Sequence, residues 1–215
     1  MAKMEDVLEV YHRPYDPKRP VVCLDECSKE LHTTPQGELE PAPGKTACED
    51  YEYERQGTRN LFLAVEPLRG WRKVQVTERR TAVDFADQLR QLADEDYPLA
   101  EQIVLVTDNL NTHTRACLYE RFAPEEAQRI AAKLEWHYTP EHGSWLNVAE
   151  CELSVLGRQC LDRRIPNAAI LTQEVAAWER DRNAQQVTID WQFTTADARI
   201  KLKHLYPVLK VIGST

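Results

Sequence analysis

Two short apolar runs end in aspartate. Val21-Val22-Cys23-Leu24 leads into Asp25, and Ile103-Val104-Leu105-Val106 leads through Thr107 into Asp108, with Asn109, Asn111 and His113 following at once. Runs of this length and composition read as buried strands. Side by side, two such strands bring both acids to one end of a sheet, where ligands commonly gather. Carboxylates forced together repel, and one takes up a proton unless a cation lies between them. Mg²⁺ prefers hard oxygen donors, keeps several waters and completes its shell with phosphate oxygens. Two such ions about 4 Å apart activate an attacking oxygen and stabilise a leaving one, which is phosphoryl-transfer chemistry. The competing reading makes Asp25 a turn residue and Asp108 a helix cap.

A third acid belongs to a segment that follows the turn Pro140-Glu141-His142-Gly143-Ser144 and has helical period over 145–160. Glu150 and Glu152 both flank its apolar stripe of Leu146, Ala149, Leu153 and Leu156, so periodicity does not choose between them.

The elements that position these acids follow from pattern. Residues 1–20 form a lead-in whose last part, with Pro14, Pro17 and Pro20, opposes regular structure. Residues 27–48, with three prolines, two glycines and no apolar period, read as a long loop insertion. The stretch 51–67 looks like a hairpin around Gln56-Gly57, and Val74 and Val76 alternate with polar neighbours as in a half-buried strand. Ala82, Phe85, Ala86, Leu89, Leu92 and Ala93 share one helical face, with Thr81 as N-cap and Asp84 three residues on. A helix pair over 114–133, a strand over 134–139 and a helix over 168–182 capped by Asn167 complete the series. Residues 187–193 alternate as an edge strand or extended arm before a basic end. The expected fold is α/β, a mixed sheet in which an antiparallel meander precedes βα units, flanked by helices. The domain reading is a lead-in over 1–20, one catalytic domain over 21–185 and a C-terminal arm over 186–215.

At 215 residues, 42% hydrophobic and 29% charged, the composition is that of a globular chain with a sizeable core, without internal repeats. No apolar run approaches the roughly 20 residues of a membrane span, and the amino terminus is not a signal peptide, so the expected location is the cytoplasm. Six cysteines without a C-x-x-C pair argue against structural zinc and for reduced, mostly buried thiols. A net charge of −8 argues against a general nucleic-acid coat protein, but not against a DNA enzyme whose acids bind metal.

The blocks VVCLDE, VLVTDNLNTH and HYTPEHGSWLNVAE resemble, in order, the three catalytic blocks of bacterial insertion-sequence transposases related to the mariner superfamily, in the group numbered six hundred and thirty. The likeness continues through YEYERQGTRNLFLAVEPLRGW, RRTAVDFADQL, ELSVLGRQCLDRRIP and DWQFTTADARIKLKHLYP, covering nearly all the chain from about residue 13. It implies an RNase H-like DDE superfamily endonuclease domain with Asp25, Asp108 and Glu150 as catalytic, metal-holding acids, Glu150 closing an Asn-x-x-Glu motif. Two Mg²⁺ ions, replaceable by Mn²⁺, are implied with it. So are transposon ends and a TA target as DNA partners, and a homodimer on the DNA.

Asn109 and His113 match the block after the second acid. His113 either orients the scissile phosphate or a metal-bound water, or is a hydrogen-bonded structural histidine. Asn147 either braces the site or is exposed. Trp136 and Trp145 read as core or wall residues. Arg158, Arg163, Arg164, Lys201 and Lys203 are candidates for the DNA backbone.

Asp108 and Glu150 lie farther apart than is typical of mariner elements, and the excess is placed in 123–133. Relatives carry helix-turn-helix modules upstream of the catalytic domain, and the residues before Asp25 are too few for one. The expectation is therefore a catalytic core deficient in recognising transposon ends. The alternatives are an RNase H-like nuclease on other nucleic acids, or a catalytically idle remnant that pairs with a full-length transposase.

Overall fold

The computed structural model describes residues 1–35 and 52–206. Five strands form one mixed sheet in the order β3-β2-β1-β4-β5. Strands β1 (Val21–Thr33), β2 (Glu54–Glu66) and β3 (Trp71–Thr77) make an antiparallel meander. Strands β4 (Ile103–Thr107) and β5 (Leu134–Tyr138) add in parallel on the other side of β1. The expected α/β class and mixed topology are borne out.

Alternation along β1 divides the core. Val22 and Leu24 face one side, with Phe62, Leu105 and the helices α2 (Ala82–Gln91), α3 (Ala116–Arg121) and α4 (Pro124–Ala132). Cys23 faces the other, with α1 (Ala2–Tyr11), α5 (Val148–Leu156) and α6 (Ala168–Ala184). The caps read from sequence form: Thr81 and Asp84 make a capping box at α2, and the Asn167 side chain accepts the Ile170 N–H at α6.

Three expectations are corrected. The lead-in, to which no element was assigned, holds a helix over residues 2–11: Met4, Val7, Leu8, Val10 and Tyr11 lie buried in the core, and the prolines act only after His12. Strand β1 does not stop at Asp25 but continues to Thr33, so 27–33 belong to the sheet, and the rest of the expected loop, from 36 on, lies outside the described residues. Gln56-Gly57 is not a hairpin turn. It is a bulge inside β2, where the pairing skips from Glu30 with Thr58 to His32 with Arg55 and Gly57 takes φ 92°.

Residues 187–194 form no strand; they run as an arm whose Ile189, Trp191 and Phe193 pack on the core, followed by α7 (Thr195–Lys201). Of the cysteines, Cys23 and Cys117 are buried, Cys27 and Cys160 half-buried and Cys151 exposed; Cys48 lies outside the described residues. Among the described residues no helix is long and apolar enough to cross a membrane.

The arm is seated on the β2–β3 turn, where the Ile189 N–H donates to the Pro67 carbonyl at 2.9 Å. Gly70, at φ 70°, closes that turn, and a Cβ there would sit 2.7 Å from the Gln186 backbone. Gly70→Ala should therefore cost about 2–4 kcal/mol in urea unfolding, combining left-handed strain with overpacking. A loss below 1 kcal/mol, on the order of ordinary surface changes, would contradict this packing.

Candidate active site

Strand register brings the first two acids together. In the parallel ladder Val21 pairs with Val104, Val22 with Leu105 and Cys23 with Val106. Continued at the same offset, it sets Asp25 beside Asp108, and β4 ends at Thr107 while β1 runs on, paired to β2 through Asp25 and Leu63. Asp108 thus begins the loop at the carboxyl edge, and Asp25 lies within a strand whose β4 neighbour has just ended.

The third acid arrives on α5. Asn147 caps this helix, its Oδ1 accepting the Ala149 N–H at 3.1 Å, while its Nδ2 donates to Asp25 Oδ2 at 3.2 Å and to the Leu24 carbonyl at 3.4 Å. Asn147 is fully buried, not exposed. Glu150, half-buried, is the third residue of the helix and faces the acids. Glu152 points away. It is buried, and its Oε1 accepts from Arg72 Nε at 2.7 Å and Arg182 Nε at 2.9 Å. Its charge is committed to holding β3 and α6 against α5.

Opposite faces of β1 carry Asp25 and Glu26. On the Glu26 side His113 is buried, stacked on Phe85 with ring centroids 4.1 Å apart. Its Nδ1 makes a short contact with Asp108 Oδ1, and its Nε2 lies 3.0 Å from Glu26 Oε2, within ion-pair reach though off the line of a hydrogen bond. Burial works against a charged imidazole, but the Asp108 and Glu26 carboxylates outweigh it and raise His113 to about 9. A chain from Asp108 through His113 to Glu26 therefore fixes the second acid. Sequence reasoning missed Glu26, although the adjacent Asp-Glu pair in a strand puts one acid on each face.

Asp108 and Glu150 line a cleft of about 470 Å³, with Asn109 exposed at its rim and the turn 139–144 as its wall. His142 in that wall holds φ 59°, unusual for a side chain other than glycine. The tight Pro-x-His-Gly turn was the sequence signal for it. Asp25, at 5% exposure, is buried rather than lining the cleft. Burial raises its carboxyl to about 7, and the charges of Asp108, Glu26 and Glu150 push the same way, against the Glu26 N–H that hydrogen-bonds it at 2.8 Å.

The outlying candidates divide. Arg158 is exposed beside Ser154 and Gly157 on α5 and the turn after it. Arg163 pairs with Glu174 at 2.7 Å, and Arg164 donates to Thr34 Oγ1 and the Glu52 carbonyl and lies over the Tyr53 ring. Lys201 covers the Phe193 ring, and Lys203 is exposed. Trp136 is half-buried near Phe85; Trp145 is 43% exposed and stacked on Trp191, so of the two expected places, core or wall, it is not in the core.

Hard carboxylate oxygens with excess negative charge, one buried and two at the cleft, are of the type that suits Mg²⁺ or Mn²⁺. As they stand, no three acid, histidine or cysteine side chains among the described residues close around one ion. Both Asp108 contacts, from His113 and from the Leu110 N–H at 3.1 Å, fall on Oδ1, which leaves Oδ2 for a cation.

The fold has known counterparts. The mariner Mos1 paired-end complex with Mn superposes with a TM-score of 0.58 at 14% identity, covering 86% of this chain and 56% of that one. The Mos1 strand transfer complex gives 0.58 at 14% identity, covering 86% and 55%. The Mos1 paired-end complex with Mg gives 0.56 at 16% identity, covering 86% and 56%. The likeness is one of fold, the RNase H-like arrangement expected from the sequence, and the chain spans a little over half the length of those Mos1 chains. No curated protein sequence matches it. Residues 20–172, most of the chain and all three acids with it, match the family model described as DDE superfamily endonuclease, and the chain belongs to that family.

Proposed function

We propose that the chain is the catalytic domain of a DDE transposase, cleaving DNA at the ends of an insertion sequence and joining them to target DNA. The observation that carries this reading is the register that aligns Asp25 with Asp108, with Asn147 tying the Glu150 helix to the same point. Asp25, Asp108 and Glu150 would hold two Mg²⁺ ions, for which Mn²⁺ could substitute. When bound, the metal supplies activation of the attacking oxygen and stabilisation of the leaving one. Asn147 orients Asp25; His113, braced by Glu26, keeps Asp108 Oδ1 occupied and its other oxygen directed outward.

Water attacks the phosphodiester at the element's end, breaking one P–O bond and leaving a 3′ hydroxyl. That hydroxyl attacks a target phosphodiester, at TA by the resemblance, so each step exchanges one P–O bond for another. The exposed Arg158 and Lys203 suit the DNA backbone better than Arg163, Arg164 and Lys201, which already have partners. A dimer on paired ends suits the same chemistry.

Nicking of supercoiled plasmid in Mn²⁺ or Mg²⁺ tests the reading. The wild-type chain should nick duplex DNA in preference to RNA–DNA hybrid. Asp108→Asn should lose several kcal/mol of transition-state stabilisation, a fall on the order of 10³-fold. Equal nicking by Asp108→Asn would remove the assignment.

A further inference from the structure

Tyr11 lies on α1, outside the residues 20–172 that carry the family match, yet its hydroxyl reaches the start of the helix bearing Glu150. The ring is buried and packs on Trp191 with centroids 5.1 Å apart. Its hydroxyl donates to the Leu146 carbonyl at 2.6 Å and accepts the Val148 N–H at 3.3 Å. With its one proton given to Leu146, the hydroxyl also accepts from the Cys23 thiol at 3.5 Å. Leu146 and Val148 are buried and flank Asn147, the residue that caps α5 and binds Asp25; Cys23 stands two residues before Asp25 on β1. One oxygen therefore joins the strand of the first acid to the backbone that sets the third.

We infer that Tyr11 is a positioning residue for the metal-dependent cleavage: its hydroxyl fixes the Leu146–Val148 backbone so that Asn147 and Glu150 meet Asp25 in working register. The inference rests on the transposase reading and adds to it an element outside the acid motifs. Without the hydroxyl, the buried Leu146 carbonyl and Val148 N–H lose the oxygen that they share. The backbone relieves that only by moving, and any movement of 146–148 carries Asn147 and Glu150 with it. Misplacement of a reacting constellation by about 1 Å is worth on the order of 10²-fold in rate.

Tyr11→Phe keeps the ring and deletes the oxygen. Plasmid nicking against Mn²⁺ concentration, at saturating DNA, should show the maximal rate down roughly 10- to 100-fold and half-maximal Mn²⁺ up several-fold. The DNA concentration for half-saturation should stay within about twofold, because Tyr11 is buried. Calorimetric titration of the DNA-free protein with Mn²⁺ should show the same several-fold weakening without any turnover.

Leu8→Ala, at a fully buried position of the same helix, should lower the melting temperature and leave the Mn²⁺ dependence unchanged, separating lost stability from lost positioning. Val148→Pro removes the N–H that Tyr11 accepts, at the first helical residue where proline is tolerated, and should shift the Mn²⁺ dependence in the same direction. It decides the matter if Tyr11→Phe does not fold. Wild-type Mn²⁺ affinity and rate in whichever variant folds overturn the role of Tyr11. A wild-type chain that binds Mn²⁺ more tightly than Tyr11→Phe but nicks nothing overturns the transposase reading and leaves the positioning role standing.

Discussion

Glu150→Gln should abolish metal-dependent nicking, by about 10³-fold or more, with the melting temperature within about 2 °C of wild type. Glu152→Gln, two residues along the same helix, should do the reverse. The neutral amide at 150 keeps the size and the helix while removing the charge that the proposal assigns to metal binding, so the loss falls on chemistry. At 152 the lost charge leaves Arg72, with 0% side-chain exposure, and Arg182 without their common carboxylate. Breaking a buried ion pair from one side costs about 3–5 kcal/mol. For a chain of this size that lowers the melting temperature on the order of 10 °C. Nicking per folded molecule, measured well below that temperature, should stay within a few-fold of wild type. Thermal melts and plasmid nicking on both variants decide it, and the opposite pattern would exchange the roles of the two glutamates.

Helical period did not separate these two acids, and the choice of Glu150 came from the Asn-x-x-Glu motif of the resemblance. Both border the apolar stripe of α5, and helical period carries no more than that. What separates them is the position of Arg72 on β3 and Arg182 on α6, remote in sequence and brought in only by the closed fold. The same holds for the brace of Asp108. His113 was legible as a candidate, but its second carboxylate, Glu26, and the Phe85 ring beneath it come from two other elements.

Elements were legible where burial was simple. Strand β4 is buried along its whole length and reads as an unbroken apolar run. Beyond Asp25, β1 is paired to β2 alone and carries Ser28, Lys29 and Glu30, so a real strand has a loop's composition. Gln56-Gly57 has the chemistry of a turn because a bulge needs the same positive φ that a turn does. Helix α1 was not legible because it is a single ten-residue run, ending just before three prolines, whose apolar face of Met4, Val7, Leu8 and Tyr11 finds its partners only in the closed fold. That omission hid Tyr11, whose role is set by contacts with residues more than a hundred positions away.

Asp25→Asn should stabilise the metal-free protein while ending its response to metal. In the fold the carboxyl of Asp25 is raised to about 7 from an ordinary 3.8, by burial first and by the neighbouring acids second. Below 3.8 both folded and unfolded chains hold the proton, and Asp25 costs nothing. Between 3.8 and about 7 the unfolded chain gives up the proton that the folded one keeps, so stability falls as pH rises, and above 7 the deficit is constant. Each tenfold difference in acidity is worth about 1.4 kcal/mol, so the ionised group costs roughly 4 kcal/mol at pH 8. Asparagine escapes that cost but turns one N–H toward Asn147 Nδ2, forfeiting a hydrogen bond worth about 1 kcal/mol.

A net gain of about 3 kcal/mol, or about 6–12 °C, is expected at pH 8 in EDTA, vanishing near pH 4. His113 slopes the same way: its contribution is complete below 6.5 and is lost as pH rises through about 9. The difference between wild type and variant over pH 4–7 therefore isolates Asp25. Mn²⁺ at a hundredfold excess over its dissociation constant should raise wild-type stability by about 2.7 kcal/mol, and Asp25→Asn by far less, since the ligand and the repulsion it relieves are both gone. Melts of the two proteins across pH, with and without Mn²⁺, measure all of this. If Asp25→Asn melts lower than wild type at pH 8, or gains as much from Mn²⁺, then Asp25 is neither a strained anion nor a metal ligand. A buried carboxylate maintained at this cost is physically reasonable only where its charge is used, and behind the cleft that Asp108 and Glu150 line, the use proposed above is holding a cation against a phosphodiester.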